Sequence, residues 1–462
     1  MKKYDVIVIG GGTAGIFAAY ELHRCLPEMK VALIEQGNTL DRRKCPIIAG
    51  KTDHCINCRH CSIMNGFGGA GAFSDGKFNF TTEFGGWLKD YIPEKQVMDL
   101  IEYVDSVNVA FGATTVRYST DSPDALELEK EALKYDLHLL KAQVKHLGTE
   151  RNLEILGNIF DDLQKYTDLY CDTTVSEIIR NSDGTFTLKT DIGDCLCDYL
   201  VCAPGRSGAE WFSSQCKNLG LHLINNQVDL GVRVELPAQV FERITDTVYE
   251  AKLVYRTKQY GDNVRTFCMN PYGHVVTENV DGCITVNGHS YSAKELRSPN
   301  TNFALLVSNR FTEPFNEPYQ YGKRIASLSN MLGGGVLVQR FGDLVKGIRT
   351  NEHRLSKSFT KPTLSATPGD LSLALPKRHL DNIIEMIYAL DKLAPGTANH
   401  DTLLYGVEVK FYSARLTLSE NLETEIGNMY ACGDGAGITR GLSQAAASGV
   451  HVARCIKSRT GK

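Results

Sequence analysis

The first fifteen residues constrain the fold of this chain more than any other stretch. An apolar, β-branched run, VIVI at 6–9, leads directly into GGGTAG at 10–15, and the helix-favouring IFAAYEL follows. A strand, a glycine turn and a helix in this order are typical of the start of a doubly wound α/β sheet. A second apolar run, VALI at 31–34, ends in Glu35 and completes a βαβ unit.

The glycines have the spacing Gly-x-Gly-x-x-Gly, in which each position has a physical role. Gly10 permits the tight turn, Gly12 lets the backbone approach a pyrophosphate, and Gly15 lets the helix pack on the strand. The helix N-terminus offers N–H groups to phosphates, and Glu35 stands where a ribose hydroxyl needs an acceptor. This context predicts a dinucleotide site, the alternative being an ordinary glycine turn.

Composition narrows the class of protein. The chain has 462 residues, of which 42% are hydrophobic and 23% charged, and a net charge of −4. These values are typical of a globular protein, and the length favours two domains. Without a long basic run we expect no nucleic-acid or membrane partner, but a small molecule. No apolar run approaches the roughly 20 residues that span a bilayer, and no signal peptide precedes the first strand, so we expect a cytoplasmic protein.

The order of patterns predicts one domain inserted into another. Residues 1–224 and 413–462 carry the glycine-rich turns and buried strands of one domain, with a helical segment at 93–166. Within that segment 136–144 is expected to be helical, because its apolar residues recur at three- and four-residue spacing. Residues 225–412 consist of β-branched and aromatic runs with one helical stretch, which predicts a mainly antiparallel substrate domain.

Fourteen cysteines without a secretion signal indicate mostly reduced thiols. Four of them are clustered: Cys45, followed by proline, and the triplet Cys55, Cys58 and Cys61. Three-residue intervals and a Cys-Pro ligand are typical of bacterial ferredoxin clusters, although here the Cys-Pro precedes the triplet. A [4Fe–4S] cluster, a zinc site, and free or redox-active thiols are the alternatives that this pattern leaves open.

Three motifs together resemble the two-domain FAD-dependent oxidoreductases of the glutathione-reductase-like superfamily. They are the fingerprint at 10–15 with Glu35, the strand end CAPGRS at 202–207, and YACGD at 430–434. The resemblance implies a Rossmann-like FAD-binding domain with an inserted, mainly antiparallel β domain. Pro204 departs from the superfamily, which usually has threonine there, and this departure leaves the FAD contacts of that loop open.

A narrower resemblance is to a family of FAD-dependent dehydrogenases. It is carried by NGFGGAGAFSDGK at 65–77, YGVEVKFYSAR at 405–415 and GDGAGITRG at 433–441. Both resemblances imply that FAD is bound by the two ends of the chain, with Asp434 accepting hydrogen bonds from the ribityl chain. The residues expected to contact FAD are Gly10, Gly12, Ala14, Gly15, Glu35, Gln36, Arg43, Gly69, Ala70, Ser74, Asp75, Lys77, Val175, Ala203, Gly205, Gly433, Asp434, Gly441, Leu442 and Ser443.

The expected activity is hydride transfer between FAD and a small organic substrate, as reduction of a C=C bond or the reverse dehydrogenation. Arg440, Tyr412, Lys410 and His289 are the catalytic candidates, because such side chains bind carboxylates, polarise carbonyls or supply protons. Surface charge on alternate strand positions explains each of them equally well.

The electron donor has two alternatives. No second nucleotide fingerprint lies between 225 and 412, so either NAD(P)H visits the flavin or a ferredoxin-like protein donates through the cysteine cluster. The rival hypothesis to a substrate-converting enzyme is therefore an electron-transfer or redox-sensing flavoprotein that acts with a protein partner.

Overall fold

The computed structural model describes residues 1–461 except 53–55, 57, 75, 249, 281, 292–293, 310 and 312–316. In chain order the strands are β1 (Lys2–Ile9), β2 (Val31–Ile34), β3 (Lys77–Phe80), β4 (Tyr118–Ser119), β5 (Leu137–Leu139), β6 (Gln143–His146), β7 (Thr167–Tyr170), β8 (Val175–Arg180), β9 (Phe186–Thr190), β10 (Cys195–Cys202), β11 (Leu223–Ile224), β12 (Val228–Pro237), β13 (Leu253–Arg256), β14 (Asn263–Asn270), β15 (His274–Val280), β16 (Cys283–His289), β17 (Asn300–Asn309), β18 (Leu337–Arg340), β19 (Thr367–Pro368), β20 (Leu403–Lys410), β21 (Arg415–Leu416) and β22 (Met429–Ala431). The helices are α1 (Thr13–Cys25), α2 (Glu94–Ala110), α3 (Pro123–Leu133), α4 (Thr149–Leu163), α5 (Ala209–Asn218), α6 (Ala238–Thr247), α7 (Pro318–Gly333), α8 (Phe341–Val345), α9 (Glu352–Ser356), α10 (Lys377–Leu393) and α11 (Leu442–Thr460).

The first of two compact units comprises Met1–Arg117, Ala142–Asn226 and Tyr412–Lys462. Its main sheet has the order β7-β2-β1-β10-β9-β8, with β22 also beside β10. Strands β7, β2, β1, β10 and β22 run parallel, whereas β8 and β9 form an antiparallel hairpin. Parallel strands are buried on both faces, which is why their sequences are continuous apolar runs. The carboxyl ends of these strands lie at one edge of the sheet.

Helices α1 and α11 pack closely in the first unit, although one begins the chain and the other ends it. A Cβ atom on Gly449 of α11 would lie 2.1 Å from the carbonyl oxygen of Ala14 in α1. Only glycine permits this approach, and the small residues Ala446, Ala447 and Ala453 of α11 are fully buried. The two ends of the chain are thereby joined in one core.

The second unit comprises Tyr118–Lys141 and Gln227–Phe411. Its eight-stranded sheet has the order β19-β18-β20-β12-β17-β14-β13-β5 and is antiparallel apart from the β18–β19 pair. Strand β12 alternates apolar side chains with Asp229, Arg233 and Glu235, yet both sets are buried. Burial of the polar set is tolerated because these side chains are paired: Arg233 Nε lies 3.1 Å from Glu408 Oε2.

The expected fold class is confirmed, since a Rossmann-like α/β unit is combined with a mainly antiparallel unit. Residues 118–141, which the sequence patterns assign to the first domain, lie in the second unit. The prediction of a helix over 136–144 is wrong. Strands β5 and β6 cover this stretch, because Leu137 and Leu139 alternate about an exposed His138 and β5 extends the second sheet beside β13.

The substrate-domain range holds more helix than its sequence indicates. The expected helical stretch is α10, and the structure adds α6, α7, α8 and α9. Among the helices that the structure describes, none is long and apolar enough to cross a bilayer.

Candidate functional site: a strand-end cavity

Four parallel strand ends of the first unit meet at one point. Ile9, the last residue of β1, pairs with Ile34 of β2 and Cys202 of β10, and Cys202 pairs with Ala431 of β22. The segments that follow these ends line a cavity of about 280 Å³. Ligands of open α/β sheets bind outside the carboxyl ends of the strands, so this cavity is the candidate functional site.

Most of the predicted FAD contacts lie in the wall of this cavity. They are Gly12, Ala14, Glu35, Gln36, Gly69, Ala70, Ser74, Lys77, Ala203, Gly205, Gly433, Asp434, Gly441 and Leu442. The wall does not include Gly10, Gly15, Arg43, Val175 or Ser443. Asp75 lies outside the described residues.

The wall also contains residues that the sequence reasoning missed, namely Thr13, Met64, Asn65, Gly68, Gly71, Pro204, Arg206, Ser207 and Ala445. The sequence signal that could have identified them is their place within or beside the glycine-rich motifs described above. Asn65 joins three of the wall segments: its Oδ1 accepts hydrogen bonds from Gln36 Nε2 at 3.0 Å and Ser207 Oγ at 2.5 Å. Arg206 and Lys77 add positive charge to a wall that also contains two acids.

The glycine turn has the tight geometry that its sequence predicts. Gly10 has a φ of 102°, and a Cβ atom there would lie 2.1 Å from the carbonyl oxygen of Ala203. A Cβ atom on Gly15 would lie 1.9 Å from the carbonyl oxygen of Gly10. Helix α1 begins beside the cavity with Gly12 as its N-cap and no side-chain capping bond. Its first N–H groups and positive dipole end therefore suit an anionic group such as a pyrophosphate.

Glu35 organises the loops around the cavity as well as lining it. Its Oε2 accepts a hydrogen bond from the N–H of Gly11 at 2.7 Å. Its Oε1 accepts from the N–H groups of Gly37 and Gly66, each at 2.8 Å. An ionised carboxylate has about four acceptor sites, so one site on Oε2 is left for a ligand hydroxyl. The expected ribose acceptor is thus also the anchor of three glycine loops.

Arg43 is placed behind the wall, where it holds the segment that follows the cysteines. Its guanidinium donates to the carbonyl oxygens of Ser62 at 3.0 Å, Phe67 at 2.6 Å and Ile63 at 2.8 Å. Burial lowers the pKa of Arg43 to about 10, and the nearby Glu35 carboxylate opposes that shift. The group remains a cation at neutral pH, so its contribution to the cavity is structural support.

Asp434 follows β22 and faces the cavity beside the start of α11. Its Oδ1 accepts hydrogen bonds from Thr439 Oγ1 at 2.8 Å and from the N–H of Gly441 at 3.4 Å. Burial raises the pKa of Asp434, while the positive charges of Arg206 and Arg440 act in the opposite direction. The carboxyl thus presents a hydrogen-bonding group to the cavity beside the start of α11.

The residues present fit FAD. Ser443 Oγ, in the first turn of α11, is buried without a hydrogen-bond partner in the described part of the chain. A buried hydroxyl of this kind needs a partner, and a polar cofactor beside α11 would supply one. The wall combines the N-termini of α1 and α11. Glu35 lies beside the start of α1 and Asp434 beside the start of α11. This arrangement suits a molecule with a pyrophosphate between two polyol groups.

Two of the catalytic candidates lie next to this cavity. Arg440 directly precedes Gly441 of the wall, and its guanidinium carbon lies 4.1 Å from the ring centroid of Tyr412. The Tyr412 ring in turn meets the ring of Trp87 edge to face, with centroids 5.3 Å apart. Trp87 has no motif of its own in the sequence, and sequence reasoning missed it.

The other two catalytic candidates belong to the second unit. Lys410 is buried, with its Nζ 2.9 Å from Glu408 Oε1. His289 ends β16, and its ring centroid lies 4.7 Å from that of Tyr291. The ion pair with Glu408 gives Lys410 a structural partner within its own sheet.

The cysteine cluster is described only in part. Cys55 lies outside the described residues; Cys58 is exposed, and Cys45 and Cys61 are partly buried. Among the residues that are described, Cys45, Cys58 and Cys61 included, no group of three or more His, Cys, Asp or Glu side chains is arranged to hold a metal ion. Every cysteine that the structure describes is a free thiol. The [4Fe–4S] cluster therefore stays a prediction.

The fold and the cavity define the class of protein. Residues 5–41, from β1 to just beyond Glu35, match the family model described as "FAD binding domain". The chain is therefore a flavoprotein that binds FAD, and since FAD carries redox chemistry, it is an FAD-dependent oxidoreductase.

A second family model is more specific. Residues 227–411 match the model described as "FAD-dependent protein, C-terminal domain-like", which covers the larger segment of the second unit. Both halves of the molecule are thus associated with FAD-dependent proteins by independent matches. None of the curated proteins that were compared with the sequence matches it significantly.

Solved structures resemble the chain over nearly its whole length, but loosely. Glycine oxidase from Geobacillus kaustophilus is 12% identical, with 99% of this chain and 95% of that chain covered and a TM-score of 0.41. L-proline dehydrogenase from P. horikoshii is 13% identical, with 100% and 94% covered and a TM-score of 0.41. At these scores the similarity says nothing about the substrate of this protein.

Proposed function

We propose that this protein transfers a hydride between flavin N5 and a small organic substrate, and that it is a two-domain flavoprotein of the glutathione-reductase-like superfamily. The reaction is reduction of an activated C=C bond or the reverse dehydrogenation, and residues 225–412 form the substrate domain. The observation that carries this proposal is the strand-end cavity with Glu35 and Asp434 in its wall. A cytoplasmic location stays a prediction of the sequence.

The side chains around the cavity have separable roles in this reaction. FAD, when bound, supplies the site that accepts or releases the hydride. The N-terminal end of α11, at Gly441 and Leu442, stabilises negative charge in the cavity, as helix N-termini do. Arg440 binds a carboxylate or polarises a carbonyl of the substrate, and the Tyr412 hydroxyl holds the proton that accompanies the hydride.

Lys410 and His289 are retained as candidates in the second unit. The ion pair between Lys410 and Glu408 makes Lys410 the weaker of the two, because a lysine that stabilises a buried carboxylate is not readily available to a substrate. His289 stands at the end of its strand beside Tyr291 and is the better proton donor of this pair.

The proposal is tested by following the flavin absorption band of the holoprotein under anaerobic conditions. NAD(P)H and a panel of small organic acids, enones and amines are added as reductants, and the reduced enzyme is then mixed with the same panel as oxidants. We expect at least one compound to bleach the flavin band of the oxidised protein or to restore the band of the reduced protein, and to do so reproducibly. If no compound does so with fully loaded protein, the substrate-converting function is refuted.

Tyr412→Phe tests the role of the hydroxyl within that assay. Loss of a general acid typically lowers the rate about 10²- to 10⁴-fold, so we expect slower flavin turnover with FAD content unchanged. Tyr388→Phe, at an exposed tyrosine of α10, is the matched control and should react at the native rate. An unchanged rate in Tyr412→Phe would remove this residue from the mechanism.

A second candidate function is electron transfer with a protein partner, and one observation favours it. The exposed Cys58 stands in a segment whose other exposed side chains include the cations Lys44, Lys51 and Arg59. Such a surface suits an acidic carrier of the ferredoxin type, because complementary charge steers association. If reduced ferredoxin bleaches the flavin quickly while no small molecule does, and Cys58→Ser abolishes the effect, this function replaces the first.

The metal prediction has its own test. Iron and acid-labile sulfide are measured in protein purified without oxygen, with Cys58→Ser as control. About four iron and four sulfide per chain are expected for a [4Fe–4S] cluster held by Cys45, Cys55, Cys58 and Cys61. Fresh protein without iron would refute the cluster and leave the flavin function untouched.

A further inference from the structure

Two loop segments of the first unit are joined beside the cavity wall. The N–H of Arg440 donates to the carbonyl oxygen of Gly85 at 2.8 Å, and the N–H of Trp87 donates to that of Ile438 at 2.8 Å. These paired bonds fix the backbones from which the side chains of Trp87 and Arg440 project. A side-chain arrangement built on them is therefore held in place before any ligand binds.

Four side chains form what we call the cation–aromatic ladder: Arg440, Tyr412, Trp87 and Arg415. The guanidinium of Arg440 lies over the Tyr412 ring at 4.1 Å, and Tyr412 meets Trp87 edge to face at 5.3 Å. The guanidinium of Arg415 lies over the Trp87 ring, 5.4 Å from its centroid. All four are half-buried, so that the ladder is both ordered and accessible.

The two arginines of the ladder differ in their position relative to the cavity wall. Arg415 Nη2 donates to Asp90 Oδ2 and Tyr91 Oη, each at 3.1 Å, which fixes it as a support for Trp87. Arg440 is held through its face by Tyr412 and directly precedes two residues of the wall. Its charge reaches the cavity, since it opposes the rise that burial causes in the pKa of Asp434.

A guanidinium that stacks on a ring keeps its N–H groups in its own plane. That planar fork matches the two oxygens of a carboxylate, and the rings beside it can cover an apolar body. Phosphate also matches the fork, but it has no apolar body for Tyr412 and Trp87 to cover. The ladder thus combines a charge that selects an anion with walls that select a flat organic group.

We propose that the cation–aromatic ladder is the substrate-recognition site and that it takes small planar organic acids, with the carboxylate on Arg440. This inference rests on the proposed function, whose substrate class it narrows. Arg440 binds the carboxylate through its in-plane N–H groups, and Tyr412 and Trp87 pack against the carbon skeleton. Arg415 is a positioning residue that acts through Trp87.

The test uses Trp87 as its own reporter. The sequence contains two tryptophans, Trp87 and Trp211, so Trp211→Phe leaves Trp87 as the single indole. The holoenzyme of this variant is titrated with benzoate, with the neutral analogue benzamide and with inorganic phosphate, while Trp87 emission and the flavin spectrum are recorded. Benzoate is expected to give a saturable change, benzamide at the same concentrations none, and phosphate a weaker one.

Substitutions at Arg440 assign the effect to the ladder. Arg440→Gln should raise the Kd for benzoate about ten- to a hundredfold, as expected for loss of a charge-assisted bidentate pair, and Arg440→Lys should fall between that and the native value. Arg24→Gln is the matched control, because Arg24 also lies over a tyrosine ring, that of Tyr103 at 5.7 Å. It should leave the Kd unchanged.

An equal response to benzamide, tighter binding of phosphate, or a native Kd in Arg440→Gln would each overturn the proposal. If Arg440→Gln does not hold FAD, Arg440→Lys and the benzoate–benzamide comparison on unsubstituted Arg440 decide. The proposed function fails separately. Benzoate binding that depends on Arg440, with no compound able to reduce or oxidise the flavin, would retain the recognition site and refute the reaction.

Discussion

Replacing Glu35 by glutamine separates two roles for this residue, acceptor of a cofactor hydroxyl and anchor of three loops. The carboxylate accepts backbone hydrogen bonds from Gly11, Gly37 and Gly66 at 2.7–2.8 Å. A glutamine carbonyl could keep the two bonds to Gly37 and Gly66, but its amide group would then face the N–H of Gly11. Two donors cannot bond, so one buried N–H loses its partner, and the two retained bonds lose their charge assistance.

The magnitude follows from these three bonds. An unsatisfied buried donor costs about 1–3 kcal/mol, and charge-assisted bonds are roughly twice as strong as neutral ones. From the lost bond and the two weakened bonds together, we expect Glu35→Gln to destabilise the loops by about 3 kcal/mol. This free energy corresponds to a Kd for FAD raised roughly a hundredfold.

The assay for Glu35→Gln has two readouts. FAD affinity is measured by quenching of flavin fluorescence on addition to the apoprotein, and urea unfolding is measured on the same apoprotein. A residue that only accepts from the cofactor would change the affinity and leave the apoprotein unaltered, whereas the anchor should lower both. Glu177→Gln, at an exposed position of β8, is the matched control. An apoprotein of native stability in Glu35→Gln would refute the anchoring role.

Three further predictions concern residues outside the cavity wall. Arg43→Met should weaken FAD binding, although the Arg43 side chain is not in the wall. The reason is that the carbonyl groups of the 62–67 segment lose a buried donor worth about 3 kcal/mol. The measurement is the rate of FAD loading, which should fall, and the rate of FAD release, which should rise. Gly288→Ala should destabilise the second unit by about 1–3 kcal/mol in urea unfolding, since a Cβ atom would lie 2.2 Å from Asn302 Oδ1, whereas Gly157→Ala, with open space in α4, should be neutral or stabilising. Burial lowers the pKa of His379 to about 4 from 6.5, so the unfolded state binds the proton first and stability falls as pH drops from 6.5 towards 4, by up to about 3 kcal/mol. That part of the pH slope should vanish in His379→Gln, and a slope equal to the native one would count against the assignment.

Most of the cavity wall could be predicted from the sequence because its signals are local. Gly10, Gly15 and Glu35 stand in a motif whose spacing is set by one turn and two strands, so their relation needs no knowledge of distant contacts. Asp434 lies about 400 residues further on, yet its strand end carries its own recognisable glycine pattern. The parallel register of β1, β10 and β22 then brings these local features together.

The parts that could not be predicted depend on pairing between distant residues. Leu137 and Leu139 fit a helical period as well as a strand, and only the edge of β13 decides between the two. The sequence predicts Arg43 as an FAD contact, but its role as a support behind the wall appears only where the carbonyl groups of Ser62, Ile63 and Phe67 converge on it. Trp87 gains its place in the ladder from a segment more than 300 residues away.

The order of segments along the chain has a consequence for when the cavity can exist. Its wall needs the turn after β1 and the start of α11, and the whole of 227–411 lies between them. Strand β22 completes the neighbourhood of β10, and α11 packs on α1, only after the second unit has been synthesised. A ligand that binds only the completed arrangement, as we propose for FAD, stabilises the joining of the two chain ends by mass action, by about 2.7 kcal/mol when its concentration is a hundred times the Kd. The ligand of this cavity therefore also stabilises the unit that the two chain ends form together.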